Sequence, residues 1–257
     1  MLRFSLLGSG SSGNAALVTT PTTKILIDNG LSLKQLRLRL AAVGESLTDL
    51  SAVVISHEHS DHVLGLGVLT RQMAVPVYMT PATHEALPAS LNGLNGVRHF
   101  ESGDTLPLGD IEVDTFAVSH DAVDPVGFAV RGCGAKLGFA TDLGHVSHVV
   151  RRGLAGAHAL VIESNYCPKR LLAGHYPPRV QHRIRSRIGH LSNQDMCSLL
   201  AELLHDRLGT VVLMHISENN NNPDDVLALA RGVMNGHVAK LHLAWQDRPT
   251  PLFEVRP

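Results

Sequence analysis

Three histidines, a glutamate and an aspartate fall within six positions, His57 to His62, in the stretch SHEHSDHV. Imidazole and carboxylate at that density suit a divalent cation; a surface loop has no need of them and a packed core does not tolerate them unpaired. The bland alternatives are a solvated histidine-rich loop or a single structural zinc. The apolar run Leu50–Ile55 precedes the cluster and reads as a strand, so the ligands would be held by a sheet while facing a cleft. His57 and His59 are two apart and point the same way from an extended chain. Asp61 and His62 follow where the chain turns, so the loop can serve two adjacent ions. Glu58 points away from its neighbours in an extended segment and is expected to be a supporting or surface group.

One motif cannot complete two coordination spheres, and three more ligand types follow strands further on. His120 comes after Glu112–Val118, Asp142 after Leu137–Thr141 and His215 after Val211–Met214. Each is followed by a polar or glycine-containing loop.

The order HEHSDH, VSHDA, TDLG and a strand-terminal histidine resembles the metallo-β-lactamase-fold hydrolases over residues 1 to about 216. LGSGSSGNA near the start, ESNYCP at 163–168 and GHLSN at 189–193 resemble the YycJ/WalJ branch, whose members are cytoplasmic and nuclease-like. The resemblance implies that His57, His59 and His120 hold one metal, that Asp61, His62 and His215 hold the other, and that Asp142 bridges them. It also implies that Asp28, in KILIDNG, orients ligands without binding metal. Asp61 and His190 are the expected catalytic residues. Five imidazoles and two carboxylates without a thiolate suit two divalent ions, zinc first, with manganese or iron as alternatives. Two such ions lower the pKa of a shared water, so a bridging hydroxide is the expected nucleophile.

The elements that must position these residues are mostly short. Strands are expected at Arg3–Leu7, Ala15–Thr19, Lys24–Asp28, Ala52–Ser56, Val75–Met79, Glu112–Val118, Val126–Val130, Leu137–Thr141, Leu160–Glu163, Val211–Met214 and Lys240–Leu243. Helices are expected at Ser32–Val43, capped by Ser32, and at Pro81–Ala89, Pro178–Ile188, Asn193–Leu208 with Gly209 as C-cap, and Pro223–Gly232. Strands and helices without a regular alternation suggest a sandwich with helices outside. With the resemblance, the expected fold is α+β: a four-layer αββα sandwich, residues 1–257 forming a single domain.

The substrate is argued from charge. From Ser164 to Gln194 there is no acidic residue, while Lys169, Arg170, Arg179, Arg183, Arg185 and Arg187 give +6 in 31 residues; the whole chain carries −1. In a helix Pro178–Ile188, the row Arg179, Arg183, Arg187 can track phosphates beside an apolar row Val180, Ile184, Ile188 facing the core. In GHLSN, His190 is expected to bind a phosphate oxygen or protonate the leaving group. Ser192 and Asn193 either cap the next helix or meet an anion at its N-terminus. The expected function is therefore phosphodiester hydrolysis, with nucleic acid or a small phosphodiester as substrate. The alternatives are a lactam, lactone or thioester hydrolase with the same centre, and a metal-stabilised binding protein without catalysis. There is no insertion between Asp142 and His215 large enough for the extra domain of RNase J or Artemis, and no long arm of the RNase Z kind.

Composition bounds the rest. Hydrophobic residues make up 44% and charged residues 18%, enough for a large core. No stretch of 18 apolar residues predicts a membrane span, and Phe4–Leu7 is too short for a signal-peptide core. Cys133, Cys167 and Cys197 are odd in number with no CxxC spacing, which fits a reducing cytoplasm and small filling roles. No obligate protein partner is evident.

Overall fold

The computed structural model describes residues 1–257. The first six strands, β1 (Leu2–Gly8), β2 (Ala15–Thr19), β3 (Lys24–Ile27), β4 (Ala52–Val54), β5 (Val77–Met79) and β6 (Val97–His99), cross one sheet in chain order. The next seven build the second sheet, also in order: β7 (Thr105–Leu108), β8 (Ile111–Ala117), β9 (Val126–Gly132), β10 (Ala135–Ala140), β11 (Ala159–Glu163), β12 (Thr210–Met214) and β13 (Lys240–Leu243). The last strand, β14 (Phe253–Val255), returns to the first sheet beside β1.

Both sheets follow one plan. Antiparallel pairing runs to β3 in the first and to β10 in the second, and pairing is parallel from there on. Parallel strands share a C-terminal edge, and in open sheets that edge is where ligands bind. Asp28 follows β3, Ser56 and His57 follow β4, Asp142 follows β10, Glu163 ends β11 and His215 follows β12.

The inward faces of the two sheets meet in one core, where Phe4, Ile27 and Val54 pack with Val113, Phe128, Val161 and Met214. The outer face of the first sheet is covered by α1 (Leu33–Ala42), α2 (Ser60–Val63) and α3 (Leu66–Gln72), through Leu36, Leu40, Val63, Leu66 and Leu69. Beyond α4 (Pro81–Glu85), the outer face of the second sheet is covered by α5 (His148–Leu154), and the chain then passes through α6 (Pro168–Ala173) and α7 (Pro178–Arg185). Two further helices, α8 (Asn193–Leu203) and α9 (Pro223–Met234), complete that layer through Met196, Leu199, Leu200, Val226 and Ala230. The architecture is the expected four-layer αββα sandwich. No helix is long and apolar enough to cross a membrane.

Ser32 caps α1 as expected, accepting from the Gln35 N–H. Several boundaries differ for local reasons. The helix from Pro81 stops at Glu85, because the residue before Pro88 resists the helical conformation. The helix from Asn193 stops at Leu203 and not at Leu208, and Gly209 does not cap it; the Gly209 N–H pairs with the His158 carbonyl at 2.9 Å, which leads the chain into β12. Strands β6, β7 and β14 escape a pattern search. They are short, β6 and β7 are outermost in their sheets, and β7 carries Pro107, which only an edge strand accommodates.

The largest correction concerns α7. It ends at Arg185, three residues early, and it buries none of its residues. Val180 is 37% exposed and Ile188 50% exposed, so the apolar row does not face the core. After Ser186 the chain doubles back, with the His190 N–H bonded to the Ile184 carbonyl at 2.9 Å. That turn keeps the helix off the sheets.

Candidate metal centre

Three strand ends reach the site by an unusual backbone. Asp28, Asp142 and His215 have φ of +60°, +55° and +56°, the left-handed region that non-glycine residues seldom adopt. Asp28 and His215 directly follow buried strands and Asp142 comes two residues after one, and the reversal lets each side chain turn over the sheet edge. Such strain is held where the surroundings over-determine it. The His57–His62 loop is seated by Gly30, where any Cβ would run into the Asp61 carbonyl. The Asn14 N–H also donates to that carbonyl, at 2.7 Å.

Each ring in the first cluster has one nitrogen committed. His57 Nδ1 lies 2.9 Å from Ser56 Oγ, which donates to Asp28. His59 Nε2 donates to the Asp121 carbonyl at 3.3 Å, and His120 Nδ1 donates to the Gly189 carbonyl at 2.9 Å. His62 Nδ1 donates to Asp28 Oδ2 at 2.8 Å. Anchoring one nitrogen in this way fixes the tautomer and frees the other for a metal. His57 Nε2 is buried and has no partner at all. His59 Nδ1 and His120 Nε2 stand 3.3 Å apart beside it, and the three rings form one possible ligand group. An orphaned, buried imidazole nitrogen among two others fits a cation.

Asp142 is the centre of the other half. Its Oδ2 lies 3.3 Å from His62 Nε2 and its Oδ1 lies 3.0 Å from His215 Nδ1 and 3.8 Å from His120 Nε2. It therefore touches rings from both proposed ligand sets. Asp61 sits at the rim, its Oδ2 3.5 Å from His62 Nε2 and bonded to Asn14 Nδ2 at 3.0 Å.

The electrostatics follow from burial and pairing. Burial and the neighbouring His62 push His57 well below its ordinary value. Burial also pushes His62 down, but Asp28 and Asp142 override it and raise its pKa to about 10. His215 is likewise raised well above its ordinary value, burial being outweighed by Asp142 and Glu163. Burial favours a neutral Asp142, yet His215 and His62 hold it well below the ordinary carboxylate range. Pairing with Asp142 thus favours protonated His62 and His215, and a cation bound there would compete with those protons.

Two residues of this centre lie in stretches picked out by resemblance, Glu163 in ESNYCP and Asn14 in LGSGSSGNA, but no role was expected of either. Glu163 is fully buried. Its Oε2 accepts from the Leu143 and Leu191 N–H groups at 2.7 and 3.1 Å, and its Oε1 accepts from His190 Nδ1 at 2.7 Å. One carboxylate thereby ties β11 to the loops after β10 and α7. Asn14 holds Asp61 and lies 3.0 Å from His62 Nε2. A glutamate closing a strand of fully buried residues and opening ESNYCP was the available signal for Glu163; for Asn14 it was its place in LGSGSSGNA.

The remaining expected residues separate. His190 lines a cleft of about 470 Å³ that opens from His215. Arg183 lines it too and pairs with Asp121 at 3.1 Å, whereas Arg179 and Arg187 lie outside its lining. Ser192 caps α8, accepting from the Asp195 N–H at 3.1 Å and donating to Asp195 Oδ2. Asn193 is buried and bonded to Ser164 and Asn221. Neither Ser192 nor Asn193 reaches the cleft, because their polar atoms are committed to these partners. Glu58 accepts from the Val123 N–H at 3.0 Å, in the loop whose Asp121 carbonyl holds His59. Cys133 is exposed, Cys167 and Cys197 are half-buried, and all three are free.

A two-sheet sandwich with a histidine–aspartate cluster at the strand ends is the framework of the metallo-β-lactamase-fold hydrolases, a class of metal-dependent enzymes. The chain belongs to the β-lactamase superfamily, whose domain model matches residues 23–216. It is 38% identical to exodeoxyribonuclease YycJ of Bacillus anthracis over 222 residues, 86% of this chain and 84% of that one. It is 34% identical to exodeoxyribonuclease WalJ of Streptococcus pneumoniae, over 98% of both chains. Among solved structures, the metallo-β-lactamase fold protein YhfI of Bacillus subtilis superimposes with a TM-score of 0.73 at 17% identity, over 97% of this chain and 98% of that one.

Proposed function

We propose that this chain is a metal-dependent phosphodiesterase that degrades nucleic acid, DNA foremost, with residues 1–257 as the working unit. The observation that carries this is the buried Asp142 carboxylate in contact with His62, His120 and His215, beside the partnerless His57 Nε2. The names of the two relatives support the choice of DNA. His57, His59 and His120 would hold one divalent ion, Asp61, His62 and His215 a second, and Asp142 both; zinc suits the donors first, with manganese or iron as alternatives. When bound, such ions lower the pKa of water and neutralise charge on a phosphate.

The chain's own residues do the rest. Asp28 fixes His62 through Nδ1 and the Asp121 carbonyl fixes His59 through Nε2, so no ring rotates when substrate arrives. Asp61, held by Asn14 at the rim, orients the attacking water. His190, held through Nδ1 by Glu163, stands at the cleft and passes a proton to the leaving oxygen. Arg179 and Arg187, outside the cleft, draw the strand in, while Arg183 at the cleft is paired with Asp121.

The test is hydrolysis of 5′-labelled single-stranded and nicked DNA and RNA by protein reloaded with Zn²⁺ or Mn²⁺, with a lactam and an acyl lactone alongside. Cleavage of the polymers, abolished by chelation and weakened in an Arg179/Arg183/Arg187→Ala triple variant, is expected. Turnover of the lactam or lactone alone would replace this reading with a small-molecule hydrolase.

A further inference from the structure

The cleft beside the metal cluster differs in character from the cluster itself. His190 and His215 form its inner end. Its apolar lining is Tyr176, Val180, Ile184 and Ile216, and the rest is mostly polar, with side-chain amides such as Asn219 and Gln246 among it. Arg183 is the one lysine or arginine in its lining, and that guanidinium is 3.1 Å from the Asp121 carboxylate; Glu218 adds a negative charge. The cleft is thus close to neutral. It is poorly suited to a second phosphate and well suited to an uncharged group with flat faces and hydrogen-bonding edges.

The exposure of α7 agrees. Val180 and Ile184 are one helical turn apart, and the helix buries none of its residues. An apolar row kept away from the core and turned to a cleft is available to a ligand. The ring of Tyr176 is fixed at its far end, where the hydroxyl accepts from Asn219 Nδ2 at 3.1 Å. A volume of about 470 Å³ falls within the small-molecule range of roughly 300–1,000 Å³.

We propose that this cleft is a nucleobase subsite, taking the base of the nucleotide whose phosphate lies at the metal cluster, against the apolar surface of Tyr176, Val180, Ile184 and Ile216 and within reach of the amides around it. The proposal rests on the phosphodiesterase reading and deepens it. The subsite grips any base by its faces, since apolar and aromatic contact discriminates little among bases. The acidic backbone of a polymer then runs outward along Arg179 and Arg187.

Binding to the full chain in EDTA provides the test, read by fluorescence anisotropy. The probes are a fluorescein-labelled oligodeoxythymidine and an oligomer of equal length and charge with abasic residues at both termini. Wild type should bind the abasic oligomer at least about fivefold more weakly. A Tyr176→Ala/Val180→Ser variant should bind both with affinities within about twofold of each other. Val180 is exposed on α7, and Tyr176 precedes that helix and is only half-buried, so the variant should keep its wild-type circular dichroism. Equal affinities in wild type, no binding of either oligomer, or an undiminished gap in the variant would overturn the subsite. Cleavage by the metal-loaded enzyme separates the two levels. Polymers cut without any base preference in binding would sink the subsite alone; polymers left uncut would sink the phosphodiesterase reading beneath it.

Discussion

The two halves of the molecule share one plan and supply the site differently. The first sheet delivers His57, His59, Asp61 and His62 on a single loop after β4, with Asp28 behind them. The second delivers His120, Asp142, Glu163, His190 and His215 from five separate places, spread over 96 residues of sequence. A contiguous loop can be positioned by its own backbone and one carboxylate. Scattered ligands depend on the register of parallel strands and on side chains that tie one strand end to the next. Glu163 is that tie, bonding to the N–H groups of Leu143 and Leu191 and to His190.

Removing the residue that both halves share should have the largest effect. Asp142→Ala is expected to cut nuclease turnover below about 10⁻³ of wild type. The fold should survive, as judged by circular dichroism, and metal analysis should find reduced metal. Near-normal turnover would separate the cluster from the chemistry.

The next comparison sets the two supports against each other. Glu163→Ala leaves His190 and two backbone N–H groups without their buried acceptor, and should lower the unfolding free energy of the metal-free protein by about 3–5 kcal/mol in urea titrations. Asp28→Ala should instead act on the metal, lowering affinity by about 10–100-fold through a loosened His62. If the two variants behave alike, the contrast between the halves fails.

Protons offer a third probe. The His62 pKa is raised from 6.5 to about 10 in the metal-free fold. The stabilisation this charge gives the metal-free fold is therefore complete below pH 6.5 and disappears as pH rises through about 10. A metal must displace the same proton, so apparent affinity should rise with pH, by up to about tenfold per unit for each proton released. Calorimetry in buffers of different ionisation enthalpy counts those protons. Binding that stays independent of pH from neutrality up to the raised His62 value would contradict the account.

The arginines should matter least. Arg179→Ala and Arg187→Ala are expected to reduce affinity for DNA more than Arg183→Ala, whose charge is paired with Asp121 at 3.1 Å. Removing an arginine that meets a phosphate should lower the slope of log affinity against log salt by about one. Equal effects from all three would restore a continuous arginine track.

Much of this could be read from sequence, for a physical reason. The HEHSDH loop announces itself because no core or surface requires that composition. His120, Asp142 and His215 follow strands whose apolar runs are unmistakable. Glu163 opens the ESNYCP stretch, but its role was hidden because it ends its strand in burial and binds backbone groups, which leave no trace in residue spacing. Asn14 lies in the LGSGSSGNA stretch, but its role was hidden because it acts through a partner 47 positions away. The α7 apolar row was misread because helical periodicity says that a face is apolar but not what covers it. Ser192 and Asn193 had two readings from spacing alone, and their bonds to Asp195, Ser164 and Asn221 choose between them.

The central claim is that one carboxylate joins two metal positions built by two halves of the chain, and that the joined site cuts nucleic acid. The most direct measurement titrates metal-free protein with Zn²⁺ or Mn²⁺, counting bound metal and degradation of labelled single-stranded DNA in the same samples. The account predicts two equivalents per chain, with cleavage appearing as the second is filled. Full cleavage at one equivalent, or two bound equivalents with intact DNA, would contradict it.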